Sequence, residues 1–75
     1  MPKVPLLRPQ MVVKTFEMFG WVVARQRGSH IIMTKAGHMA TLSIPNHSQV
    51  ARGTLRSLIQ HARLTIEEFL QAVES

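Results

Sequence analysis

In this 75-residue chain the stretch best equipped for chemistry is Arg25-Gln26-Arg27-Gly28-Ser29-His30. Its glycine lets a backbone approach a ligand closely and its serine can donate a hydrogen bond, while Arg25, Arg27 and the later Lys35 supply positive charge for an anion. Imidazole exchanges its proton near neutral pH, which makes His30 the candidate general base or acid. The competing reading is a polar turn whose histidine merely begins a strand. The remaining histidines, His38, His47 and His61, extend the spacing by 8, 9 and 14 residues. Those intervals match no metal-ligand pattern, and the chain has no cysteine to support one, so no metal site is expected.

The carboxylates sharpen the choice of chemistry. Aspartate is absent, and Glu67, Glu68 and Glu74 stand in the last nine residues, which leaves Glu17 alone before them. A metal-dependent nuclease gathers several carboxylates around its ions, and this sequence can hardly do so. A nuclease built from these residues would use the substrate's own nucleophile. RNA carries one in the ribose 2′-hydroxyl, and arginine or lysine can stabilise the charge that develops at phosphorus. DNA lacks that hydroxyl, so the substrate of any such reaction is RNA. A second basic region, with His47, Arg52 and Arg56 around Gly53-Thr54, offers N–H groups at a helix start to phosphate. Ordinary capping by Thr54 is the alternative there.

Charge agrees with a polyanionic partner. The formal net charge is +5, and residues 1–63 hold all nine basic side chains against one carboxylate. Attraction of that kind weakens with salt. Seventy-five residues make one thin-cored domain with little room for a deep pocket, which argues against a small-molecule cofactor. No signal peptide and no membrane-length apolar run is visible, and the expected compartment is the cytoplasm.

Several elements must hold these residues in place. Residues 1–8 read as a flexible lead-in and residues 9–75 as a single domain. Pro9 to Phe19 reads as a helix with Val12, Phe16 and Phe19 on one stripe, Lys14 and Glu17 off it, and Gly20 as its stop. Three strands follow, Trp21–Gln26, His30–Lys35 and Met39–Ile44, joined by short turns as an antiparallel meander. Alternation places His30, Ile32 and Thr34 on one face of the second strand, with Ile31, Met33 and Lys35 on the other; period alone does not say which face is covered. A helix over Thr54–Ala62 buries Leu55, Leu58 and Ile59. Thr65 with Glu68 forms a capping box that opens a last helix. Trp21 and the methionines are assigned to the core. The fold expected is α+β, in two layers: α-β-β-β-α-α, a three-stranded antiparallel sheet with helices on one face. Double-stranded-RNA-binding domains share this order.

Gly20-Trp21 and Arg25-Gln26-Arg27-Gly28-Ser29-His30 with Ile31-Ile32 resemble the hallmark segment of HicA toxins. Ile44-Pro45-Asn46-His47 through Gly53-Thr54-Leu55-Arg56-Ser57-Leu58 resembles that family's second signature, and Thr65–Phe69 its usual ending. The resemblance covers about residues 9–70. It implies a double-stranded-RNA-binding-like fold, ribosome-independent cleavage of mRNA with His30 as the catalytic histidine, and a cognate HicB antitoxin that covers that histidine. The RNA-binding set expected beside His30 is Arg25, Arg27, Gly28, Ser29, Lys35 and Arg56. A non-catalytic RNA-binding module of the same fold is the alternative. Arg63 departs from the pattern, standing where the family often ends a helix with glycine.

Overall fold

A computed structural model describes residues 3–75 and gives the order α1 (Pro9–Glu17), β1 (Val22–Arg27), β2 (His30–Thr34), β3 (Leu42–Pro45), α2 (Arg52–His61) and α3 (Ile66–Val73). The sheet is an antiparallel meander in the order β1-β2-β3. This is the α+β arrangement that the sequence leads one to expect.

α1 opens with Pro9, whose missing N–H needs no partner in a first turn. It closes through Gly20 at φ +94°: the Gly20 N–H donates to Glu17 O, and the Trp21 N–H reaches Phe16 O at 3.2 Å. This left-handed closure ends the regular helix at Glu17 and makes residues 18–20 a turn, two residues short of the expected helix end. It also brings Phe16 edge-on to Trp21, with ring centroids 6.5 Å apart, and Phe69 of α3 packs on Phe16 at 5.0 Å. These three rings anchor a core completed by Val12, Met33, Leu42, Ile44, Leu55 and Ile59. All the helices therefore lie on one face of the sheet, the face of Ile31 and Met33.

Methionine plays a smaller part in the core than composition suggests. Met33 is buried, but Met11, Met18 and Met39 are exposed, and Met39 is wholly so. After a turn in which Gly37 has φ +78°, residues 38–41 are irregular and β3 begins at Leu42 rather than Met39.

α2 starts at Arg52, two residues before the expected Thr54, with Ala51 as an N-cap that provides no side-chain acceptor. Capping by Thr54 is thereby overturned, because Thr54 lies inside the first turn. The helix ends as α1 does: Arg63 N–H donates to Gln60 O and Leu64 N–H to Ile59 O. Here Arg63, at φ +60°, takes the position that glycine holds in α1. α3 has the expected capping box, with Thr65 N–H donating to Glu68 Oε1 at 2.8 Å and Glu68 N–H donating to Thr65 Oγ1 at 3.1 Å.

The lead-in is not loose over its described part, residues 3–8. Val4 is buried in the core, and the Val50 N–H donates to Leu7 O at 2.8 Å in an isolated antiparallel bridge. Full burial of a valine stabilises by roughly 1.5–3 kcal/mol, so this segment belongs to the domain. Residues 1 and 2 of the expected lead-in lie outside the described residues.

Candidate active site on the open face of the sheet

Cross-strand register places the candidate residues. β1 and β2 pair Arg27 with His30 and Arg25 with Ile32, while β2 and β3 pair His30 with Pro45 and Ile32 with Ser43. Because Ile31, Met33, Leu42 and Ile44 face the helices, Arg25, Arg27, His30, Ile32 and Ser43 share the opposite, uncovered face. Directly opposed side chains stand about 4.5–5.5 Å apart at Cβ and diagonal ones roughly 7–8 Å. His30 thus has Arg27 straight across, with Arg25 and Ser43 on its two diagonals. All four are exposed.

Two backbone devices produce this grouping. Arg27 and His30 flank a two-residue hairpin loop in which Gly28 has φ +57°. A positive φ at the first central residue suits the right-handed twist of the strands, and glycine adopts it without a steric penalty. The second device is a bulge between Val23 and Arg25, which leaves Ala24 without a partner on β2. Strict alternation would put Arg25 and Arg27 on the same side as the buried Trp21 and as Val23, which pairs with buried Met33. The extra residue reverses that parity and turns both arginines outward. Ser29 contributes its main chain as well: its carbonyl accepts from the Asn46 N–H at 2.6 Å, which ties the loop after β3 to the hairpin.

No residue of β1, β2 or β3 is acidic; Glu17 is on α1, Glu67 and Glu68 are on α3, and Glu74 caps α3. The guanidiniums of this face therefore meet an incoming anion without a neighbouring carboxylate on the strands to compete. The same fact leaves the His30 ring with no carboxylate beside it in the register.

The structure does not gather every expected residue. Lys35 is five residues from His30, roughly 16 Å along an extended strand, and its aliphatic stem lies over Gly20, 3.3 Å from where a Cβ would stand there. Lys35 is thus not a neighbour of His30. Arg56 projects from an exposed flank of α2, outside the sheet-face group, and Arg52 lies one turn earlier on that helix. Ser43 went unnoticed in the sequence because nothing short of the β2–β3 register identifies it as a neighbour of His30.

The other histidines are dispersed. His38 packs against Trp21 with ring centroids 4.8 Å apart, and both of its ring nitrogens are buried without a hydrogen-bond partner. His47 is in the exposed loop after β3, and His61 is in the last turn of α2. Among the described residues no three His, Cys, Asp or Glu side chains converge as metal ligands would. His38 and His61 line a cavity of about 470 Å³ that lies by the β2–β3 connection, at the opposite end of the sheet from His30.

A family model described as "HicA toxin of bacterial toxin-antitoxin" matches residues 10–64, well over half of the chain and a span that includes the whole sheet face. The chain belongs to the HicA toxin family. It is the toxin of a toxin–antitoxin pair, and an antitoxin is its partner. Comparison with curated proteins gives no match. The matched span ends just past Arg63, so the HicA assignment includes the α2 closure in which arginine adopts the left-handed conformation. No helix among the described residues is long and apolar enough to cross a membrane.

Proposed function

We propose that this HicA protein is an endoribonuclease that cleaves mRNA without a metal ion, with His30 as general acid or base. The observation that carries the reading is the placement of His30 on a carboxylate-free open face, opposite Arg27 and diagonal to Arg25 and Ser43. In the reaction a base removes the ribose 2′-hydroxyl proton and the 2′-oxygen bonds to the adjacent phosphorus. The bond from phosphorus to the 5′-oxygen then breaks, and that oxygen takes up a proton. The products are a 2′,3′-cyclic phosphate and a 5′-hydroxyl. His30 serves one of the two proton transfers. Arg25 and Arg27 hold the non-bridging oxygens as negative charge grows on them. Gly28 and Ser29 keep the hairpin tight enough for the backbone to pass near the phosphate. Ser43 offers a hydroxyl to the ribose or the phosphate. Arg52 and Arg56 on α2 would meet phosphates further along the strand.

General acid–base help is worth about 10²–10⁴-fold, and positioning of the phosphate adds to it. A toxin that needs few turnovers is served by such a rate. The partner that restrains it is a HicB-type antitoxin, and the compartment of both is the cytoplasm.

The test is incubation of the purified protein, free of antitoxin, with a defined RNA in EDTA, beside His30→Ala. Cleavage leaving cyclic phosphate ends, lost in the variant and blocked by 2′-deoxyribose at the scissile position, supports the reading. Intact RNA with a folded wild-type protein that still binds it in a salt-sensitive way would replace the enzyme by a non-catalytic RNA-binding module.

A further inference from the structure

The two edges of the sheet are unlike. β3 is four residues long and ends in Pro45, which has no N–H to offer. β1 runs for six residues without proline, every one of them exposed. Its outer side presents the unpaired N–H and C=O row of an edge strand. Below it, on the helix side, a groove of about 380 Å³ separates β1 from α1. Val13, Val23 and Ile31 give the groove its apolar surface, and Gln10, Lys14, Glu17 and Gln26 border it, so that the uncompensated positive charge lies at Arg25 and Arg27 on the other face rather than in the groove. Val23 is 46% exposed there although its strand partner Met33 is buried. Above the edge, on the open face, stand Arg25 and Arg27.

We infer that a partner protein adds an extended segment to the β1 edge as a fourth strand, with acidic and apolar residues in alternation. The period of two follows from the two faces, with one residue of the added strand spanning the bulged pair Ala24 and Arg25 as Ile32 does on the β2 side. Residues turned toward the helices would enter the groove and cover Val13, Val23 and Ile31. Residues turned the other way would stand across from Arg25 and Arg27, where carboxylates pair favourably. A second copy of this chain fits poorly, because antiparallel pairing of two β1 edges centred on Gln26 sets Arg25 against Arg27 of the other copy, and like charges directly opposed are unfavourable. RNA can use the arginines but not the groove or the edge. Main-chain pairing gives such an addition its affinity and the alternating side chains its specificity.

The antitoxin is the occupant this surface fits, and that identity rests on the toxin reading; the edge and the groove stand on geometry alone. Carboxylates on the added strand would neutralise the two arginines that flank the histidine, so RNA and antitoxin would compete for the same charge beside His30.

The test uses the full chain carrying His30→Ala, so that binding is read apart from any ribonuclease activity. The probe is a synthetic peptide of alternating glutamate and valine, set against the same peptide with lysine for glutamate. Backbone amide exchange of residues 22–27 should slow with the glutamate peptide, and the lysine peptide should bind at least about tenfold more weakly, a difference of about 1.4 kcal/mol. Val23→Glu should weaken the glutamate peptide by a similar factor. Lys14→Glu on the exposed groove rim is a second variant that leaves the sheet intact, and it should weaken the peptide as well. Equal binding of the two peptides, no binding, or protection confined to β3 and the start of α2 would overturn the inference. So would protection of residues 22–27 that grows with protein concentration when no peptide is present, since that outcome assigns the edge to a second copy. Failure of the ribonuclease reading would instead appear as intact RNA with the wild-type protein, whatever the peptides do.

Discussion

On β2 the side chains of Ile31 and Met33 turn toward the helices while His30 and Ile32 turn to solvent, and β3 repeats the contrast with Leu42 and Ile44 against Ser43. The two faces are built from alternate residues of the same backbone, yet they answer to different constraints. The covered face carries the apolar burial on which stability depends. The open face has arginine, histidine and serine, no carboxylate, and little burial to lose. Substitution should therefore separate stability from chemistry cleanly, even at positions one residue apart.

The largest expected effect is at His30. His30→Ala should lower single-turnover RNA cleavage by about 10²–10⁴-fold while the melting temperature stays close to that of the parent. A fall in melting temperature like that of a core variant would break the division between faces. Next is Ile44→Ala, which empties a fully buried site and should cost about 2–5 kcal/mol in chemical denaturation. Its cleavage rate per folded molecule, read at low temperature, should remain near that of the parent. Arg27→Ala removes a charge-assisted contact worth about 1.5–3 kcal/mol, to be read as a loss in kcat/KM with stability unchanged.

Two smaller effects sharpen the same contrast at the helix ends. α3 is closed by its capping box and has Glu67 and Glu68 in its first turn, whereas α1 and α2 have neither a side-chain cap nor an acid there. Thr65→Ala should accordingly cost about 1 kcal/mol of stability and leave RNA cleavage alone. Arg63→Gly should be gently stabilising, by about 0.5–1 kcal/mol, because it relieves a left-handed conformation that an L side chain adopts at a cost. Thermal denaturation would show a rise of a few degrees, and a fall would mean that the Arg63 side chain stabilises the α2–α3 turn by more than its strain.

Much of the fold was legible because its signals are local. Pro9 with Gly20, Thr65 with Glu68, and Gly28 in a short turn each specify a structure within a few positions, although the turn proves to be two residues long rather than three because Arg27 pairs with His30. His30 could be singled out for the same reason, since its glycine, serine and arginines are adjacent in sequence. What escaped reading was set by distant pairing. Period alone could not say which face of β2 is covered, since each carries an isoleucine; the helices decide it. Ser43 joins His30 only through the β2–β3 register, and Lys35 leaves it because five strand residues span more than a side chain can reach. Val4 reads as lead-in until Leu7 is seen to pair with Val50. Arg63, the one departure from the family pattern in the α2 closure, retains the glycine-like backbone rather than abolishing it.

The unpaired Ala24 shows how much can depend on a residue with almost no side chain. A strand counts in twos, and one odd residue makes the two ends of β1 independent, so that Trp21 can be anchored inward while Arg27 faces out. A chain lacking only Ala24 would have the same charge, the same motifs and the same list of reactive groups, and any inventory of its residues would score it as intact. It would nonetheless have to choose between burying its tryptophan and displaying its arginines. For this toxin, then, a silent-looking deletion of one codon would be a path to harmlessness, and a search for inactive copies should count the spacing from Trp21 to His30 as well as check that His30 is present.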